Sequence, residues 1–301
     1  MDRILVPLDG SRLAEQALGP ALLLARNEAV HVRLVHVLDF LHVFPDCDTQ
    51  EEAQLHACAR DDAQAYFERL ALMHKDELAH ALSSTILDGS AIPAILQESR
   101  SWQADLLVMS THGYGPVDRA WLGSVTDALI RESNIPIFVV RASETQPDTT
   151  PSEPVRHILI PLDGSAPAEQ ILAPAGALAQ LTGARVTLLR VVHPWVRAIR
   201  PMAAAKPLPE LREKEIARRR TEARDYLARI AQRMDRASVD TVVAETSDAG
   251  EINKYIEQHA IDLVALATHG RSGLKRIALG SVADKLIRGA SVPVLVVRPR
   301  A

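Results

Sequence analysis

Arg3–Ala25 reads RILVPLDGSRLAEQALGPALLLA, and His157–Ala179 reads HILIPLDGSAPAEQILAPAGALA. Fifteen of these 23 positions are identical. A second match joins Asp105–Ala142 to Asp262–Pro299, with 18 of 38 positions shared, among them Thr-His-Gly, Leu-Gly-Ser-Val and Leu-Ile-Arg. The offset between copies is 154 residues at the first match and 157 at the second. A repeat of that length is far longer than the ~20–45 residues of a solenoid unit. It is a whole domain, duplicated. The boundaries expected are 1–141 for the first domain, 142–155 for a linker and 156–301 for the second. The linker, ASETQPDTTPSEPV, has the Pro, Ser, Thr and acidic content of an exposed connector.

Composition narrows the class. The chain is 47% hydrophobic but only 4% aromatic, so its core is aliphatic. Charged residues at 24% exclude wholesale disorder. No apolar run reaches the ~18 residues that span a bilayer. Met1-Asp2-Arg3 leads straight into Ile4-Leu5-Val6-Pro7, a strand pattern and not a secretory leader. Cys47 and Cys58 cannot build a disulfide framework, and with His56 they lack a fourth metal ligand at usable spacing. A cytoplasmic protein with no membrane partner and no bound structural metal is expected. The net charge of −4 argues against a dedicated nucleic-acid binder. It also hides an asymmetry, because residues 1–141 carry −9, the linker −3 and residues 156–301 +8. Three readings stand: the halves dock on each other, the basic half meets a polyanion, or surface charge has drifted without consequence.

Within each half, short apolar runs alternate with amphipathic stretches. Ile4–Leu8, Val30–Leu38, Leu106–Met109 and Ile135–Val140 read as strands buried on both faces, mirrored by Ile158–Leu162, Val186–Val192, Leu263–Ala267 and Val292–Val297. Ala14–Arg26, Glu51–His80 and Ile92–Gln103 read as helices between them. Strand–helix alternation of this kind predicts βαβ units. Each half is expected to be a doubly wound α/β domain, a five-stranded parallel sheet flanked by four helices. In such sheets ligands sit beyond the carboxyl ends of the strands, where strand order reverses.

Two segments per copy reach that edge. The first strand runs into Asp9-Gly10-Ser11, repeated as Asp163-Gly164-Ser165. Glycine permits a tight turn and serine suits a helix cap, while the aspartate either forms an Asx turn or accepts hydrogen bonds from a ribose or base. After the fourth strand comes Ser110-Thr111-His112-Gly113, nine residues, then Gly123-Ser124-Val125; the copy reads Ala267-Thr268-His269-Gly270, nine residues, then Gly280-Ser281-Val282. Each Gly-Ser opens a helix, Val125–Arg131 or Val282–Arg288. Such a start either caps the helix or presents its N–H groups and positive dipole end to phosphate oxygens.

These motifs, in this order and spacing, resemble the universal stress protein family, here as a tandem pair covering nearly the whole chain. The resemblance implies a Rossmann-like fold of the adenine nucleotide α-hydrolase-like type and binding of ATP with Mg²⁺. It assigns the adenine, ribose and phosphates to Asp9, Val37, Gly113, Gly123, Ser124 and Val125 in the first copy. In the second it assigns Asp163, Val191, Gly270, Gly280, Ser281 and Val282, with His269 and Arg271 in the same loop. The sequence departs from the family pattern at its first glycine, which is Ser110 in one copy and Ala267 in the other. Arg271 and Lys275 of the second loop face Tyr114 and Asp118 of the first, so tighter ATP binding is expected in the C-terminal domain.

The resemblance also implies pairing of last-strand edges, so a pseudo-dimer within one chain is expected, together with a homodimer of tandem chains. An apolar edge strand in any case needs a partner. His112 and His269 read as loop-packing residues or as ligands. Arg218-Arg219-Arg220 lies among glutamates and reads as a solvated helix face. His193–Pro209 is either a plain connector or a lid carrying Trp195, Arg197 and Arg200. No Gly-x4-Gly-Lys-Ser/Thr loop, Ser-Gly-Gly-x-Asp-Ser signature or repeated His-x-Gly-His element is present, so any ATP hydrolysis is expected to be slow. The expected function is a stress-response regulator that binds ATP; the alternative is a nucleotide-free protein-interaction module.

Overall fold

The computed structural model describes residues 1–39, 49–75, 81–111, 122–142, 154–192, 209–234, 238–245, 250–268 and 279–300. Their contacts divide into two compact units, Met1–Pro154 with Pro293–Arg298, and Val155–Val292 with Pro299–Ala301.

The first unit runs β1 (Arg3–Pro7), α1 (Arg12–Glu15), α2 (Leu18–Leu24), β2 (His31–Leu38), α3 (Thr49–Met73), β3 (Leu82–Asp88), α4 (Ala91–Ser101), β4 (Leu106–Ser110), α5 (Ser124–Glu132) and β5 (Ile137–Val140). Its strands lie in the order β3-β2-β1-β4-β5, every neighbouring pair parallel. Ile4, Leu5 and Val6 of β1 and Leu106, Leu107 and Val108 of β4 are at 0% exposure. That is the signature of central strands covered on both faces, and it explains their unalternated apolar sequence. The strand β10 (Val294–Val297) groups with this unit. It pairs antiparallel with β5, placing Val294, Leu295 and Val296 opposite Val139, Phe138 and Ile137. The Arg298 guanidinium, just beyond, donates to the Glu132 carbonyl at 3.1 Å.

The second unit repeats the pattern as β6 (His157–Pro161), α6 (Ala166–Glu169), α7 (Leu172–Thr182), β7 (Arg185–Val192), α8 (Pro209–Arg233), β8 (Val239–Glu245), α9 (Gly250–Gln258), β9 (Leu263–Ala267) and α10 (Ser281–Gly289). β9, β6, β7 and β8 lie side by side, all parallel.

Two details differ from the sequence reading. The helix expected over Ala14–Arg26 is two helices, α1 and α2, and its copy is likewise split into α6 and α7. Pro20 and Pro174 are the reason, since neither has an N–H to return to the carbonyl four residues earlier, at Gln16 or Gln170. The fifth strand of each half is also now located. β3 and β8 share a burial pattern with polar residues facing out at Ser83, Ser84, Asp240 and Thr241, so no continuous apolar run betrays them.

His157 opens β6 in a buried setting. Its Nδ1 faces the His259 carbonyl at 3.2 Å and its Nε2 the Thr187 hydroxyl at 2.8 Å. A carbonyl only accepts, so Nδ1 carries the hydrogen and Nε2 accepts from threonine. Burial, and then the Arg185 guanidinium, hold the imidazole pKa below its ordinary value. Folding therefore favours the neutral ring. The associated stability is complete above the ordinary histidine pKa near ~6.5 and is lost as pH falls through and below it. We expect the melting temperature to drop between pH 7 and pH 5, and the drop to shrink in His157→Gln, as read by calorimetric scans across that range. An identical pH profile in the variant contradicts the assignment.

Candidate functional site

From β1 the first unit's chain moves outward through β2 to β3, then returns to β4 on the other side of β1. In doubly wound sheets such a reversal of strand order opens a crevice beyond the strand ends. Here it is a cavity of about 330 Å³, within the size range of small-molecule sites.

The first wall comes from the end of β1. Gly10 has φ +84° and Gly164 in the second unit +79°, a left-handed turn that glycine adopts without strain. The turn folds the Asp9 carboxylate back so that Oδ1 accepts the Ser11 N–H at 2.9 Å. Ser11 Oγ then accepts from the Ala14 N–H at 3.1 Å and caps α1. The second unit repeats both contacts, at 2.9 Å to Asp163 and 3.3 Å to Ser165 Oγ, and the Ser165 hydroxyl also donates to Asp163 at 2.6 Å. Both serines are thus helix caps and both aspartates Asx turns, while Asp9 also lines the cavity.

The second wall is the junction between β4 and α5. The Gly123 N–H bonds the Thr111 carbonyl at 2.7 Å, and the first intrahelical bond runs from the Asp127 N–H to the Gly123 carbonyl at 2.9 Å. The N–H groups of Ser124, Val125 and Thr126 precede that bond and have no acceptor within the helix. Gly123 has φ −54°, an ordinary conformation, so its value here is the missing side chain: no oxygen of its own caps the helix. Gly280 reproduces this at φ −62°, with its N–H on the Thr268 carbonyl at 2.8 Å and the Asp284 N–H on its own carbonyl at 2.8 Å. Ser124 and Ser281 are exposed.

Asp9, Val37, Ser110, Gly123, Ser124 and Val125 therefore line one cavity. In the second unit Asp163, Val191, Ala267, Gly280, Ser281 and Val282 occupy the equivalent strand ends and helix start, with the Val282 side chain 44% exposed. Gly113, His112, His269, Gly270 and Arg271 lie outside the described residues. Ser110 and Ala267, standing where the family pattern has glycine, end β4 and β9. Among the described residues positive φ occurs outside glycine only at Gln103 and Ala260, so neither replacement is strained.

Sequence reading missed two positions. His36 lines the cavity, and its Nδ1 donates to the Leu8 carbonyl at 2.9 Å. Arg190 holds the same place in the second repeat and donates to the Leu162 carbonyl at 3.1 Å. Behind each stands a tyrosine of the long helix: Tyr66, 6.4 Å from the His36 ring, and Tyr226, 5.4 Å below the Arg190 guanidinium. Burial, and then the carboxylates of Glu15 and Glu169, push both phenols up, so they remain protonated. The second missed position is Thr126, whose hydroxyl donates to the Ser110 carbonyl at 2.9 Å within the cavity wall. Aligning the repeats signals both, since His36 faces Arg190 and Thr126 faces Ala283.

The arginine run does not form an open basic patch. Arg218 bonds Glu215 and Glu222, Arg219 bonds Glu215, and Arg220 pairs with Glu245 at the end of β8. Hydrogen bonds from Arg218 and Arg219 hold the Glu215 carboxyl down at about 2. Cys58 is an exposed free thiol, Cys47 lies outside the described residues, and among those described no cluster of three or more metal-ligating side chains occurs. Of the segment His193–Pro209, residues 193–208 also lie outside.

The profile of the universal stress protein family matches residues 1–141 and again 154–298. The chain belongs to the universal stress protein family. A universal stress protein of Mycolicibacterium smegmatis is 26% identical over 99% of this chain and 97% of its own length. One from Mycobacterium tuberculosis (strain H37Rv) is 28% identical over 72% of this chain and 69% of its own. The crystal structure of a universal stress protein from Archaeoglobus fulgidus superposes with a TM-score of 0.70 at 16% identity, covering 98% of each chain, and shows the same fold. In this universal stress protein no described helix is long and apolar enough to cross a membrane.

The cap has a measurable weight. Replacing Ser11 by Ala removes the acceptor for the Ala14 N–H and is expected to cost about 1 kcal/mol. Urea unfolding checks this; an unchanged midpoint contradicts the capping role.

Proposed function

We propose that this universal stress protein is a stress-response regulator that binds an adenine nucleotide, ATP with Mg²⁺, at the strand-end crevices. The observation that carries the reading is that one cavity collects an acid, two strand ends and an uncapped helix start. Asp9 would accept from the ribose or base and the Val37 backbone would meet the adenine edge. The N–H groups at Ser124, Val125 and Thr126, with the Ser124 hydroxyl, would hold phosphate oxygens, where the helix dipole adds to the attraction. Mg²⁺ would be carried by the phosphates and water. Asp163, Val191, Gly280, Ser281 and Val282 would do the same in the second unit. Charge supports tighter binding there: residues 156–301 carry +8 against −9 for residues 1–141, and Arg190 replaces His36 beside the second crevice.

Among the described residues lining the first cavity there is no lysine, and its one carboxylate, Asp9, is tied into the turn to Ser11. Bound ATP would therefore act as a signal read through the order of the neighbouring loops. The strand β10 completing the first unit's sheet against β5 supports the expected pairing of last strands and removes an apolar edge. A cytoplasmic location and a homodimer of tandem chains accord with this reading.

Calorimetric titration of the full chain with Mg·ATP tests it. Ser124→Asp and Ser281→Asp each place a carboxylate where phosphate would sit, at a position that tolerates acids in a helix. Each is expected to abolish one binding event, Ser281→Asp the tighter one. Neither heat nor a melting shift at millimolar ATP overturns the proposal and leaves the interaction-module reading.

A further inference from the structure

We infer that Thr126 is a positioning residue of the first crevice: its hydroxyl ties the end of β4 to the start of α5 and holds three phosphate-binding N–H groups in their aim. This rests on the nucleotide reading above and assigns that site a further determinant.

The tie is buried. Thr126 is 4% exposed, Ser110 6% and Thr111 7%; Ser110 ends β4, Thr111 follows it, and Thr126 lies in the first turn of α5. Hydrogen bonds among the described residues close the junction. Thr126 Oγ1 donates to the Ser110 carbonyl at 2.9 Å and the Gly123 N–H to the Thr111 carbonyl at 2.7 Å. The Thr111 N–H donates to the Val140 carbonyl at 2.8 Å, and Thr111 Oγ1 accepts the Ala142 N–H at 3.1 Å. The helix start is thereby held to the ends of both β4 and β5.

The Thr126 contact does two things at once. It engages the Ser110 carbonyl in the wall of the cavity. It also fixes the rotation of the first turn of α5, and with it the direction of the N–H groups at 124, 125 and 126. Binding to donors already in place avoids the cost of ordering them.

The second repeat supplies an internal comparison. Gly280 still bonds Thr268 at 2.8 Å, but Ala283 stands where Thr126 does and brings no hydroxyl. The two crevices thus depend on different resources. The second gains from positive charge, an attraction that salt weakens; the first gains from geometry, which salt leaves alone.

The test uses full-length chains in which one crevice is blocked by Ser281→Asp or Ser124→Asp, titrated with Mg·ATP by calorimetry at two salt concentrations. With the second crevice blocked, Thr126→Val is expected to weaken binding about fivefold to tenfold, the scale of one hydrogen bond, and Thr126→Ser to restore it to within about twofold. With the first blocked, Ala283→Thr is expected to tighten binding by a similar factor. Melting temperatures are recorded alongside, because a merely structural threonine would shift these without altering affinity in the folded chain. Failure of the parent to bind adenine nucleotide at all defeats the nucleotide reading itself. Normal binding by the parent, with Thr126→Val and Ala283→Thr both unchanged in affinity, overturns the positioning role alone.

Discussion

The first turn of an α-helix carries N–H groups that no residue of that helix can satisfy. Most helices answer with a side-chain oxygen at the cap, as α1 and α6 do with Ser11 and Ser165. α5 and α10 do not, because their caps are Gly123 and Gly280. The donors at these two helix starts, each beside a strand end, add positive potential there. The candidate site of the first unit is built around the start of α5. The Asx turn at Asp9, the tie through Thr126 and the small residue at 110 all border the same cavity.

The sheet makes the arrangement possible. In a parallel sheet all strand ends of one sense fall on one edge, and reversal of strand order between β1 and β4 opens a gap there. The interior of those strands is aliphatic and fully excluded from water, so the edge is held by packing that does not depend on any ligand. Duplication then gives the chain two such edges with the same backbone plan and different chemistry. Where the first has His36 and Thr126, the second has Arg190 and Ala283. Both exchanges fall within strands and helices that recur at equivalent places in the two units.

Much of this was legible before the structure. The repeated Pro-Leu-Asp-Gly-Ser and Leu-Gly-Ser-Val segments give the duplication, the α/β alternation and the crevice, because turns and helix starts have residue requirements that survive in sequence. The positions of β3 and β8 are not legible, since edge strands need bury only part of one face and Ser83, Ser84, Asp240 and Thr241 interrupt their apolar pattern. The break after α1 is legible in Pro20, whose missing N–H outweighs the helical period. The roles of His36 and Thr126 were not readable, because each acts on a backbone carbonyl distant in sequence, Leu8 and Ser110. A lone histidine or threonine gives no sign of such a partner; the contrast with Arg190 and Ala283 does.

The central claim is that open helix-start donors receive a phosphate-bearing ligand. Backbone amide NMR of the full-length protein reads those donors one by one as Mg·ATP is added. The account predicts that the amides of Ser124, Val125 and Thr126, and of Ser281, Val282 and Ala283, shift with the nucleotide while those of the capped starts at Arg12–Ala14 hold still. Nucleotide binding that leaves the starts of α5 and α10 unmoved would contradict it.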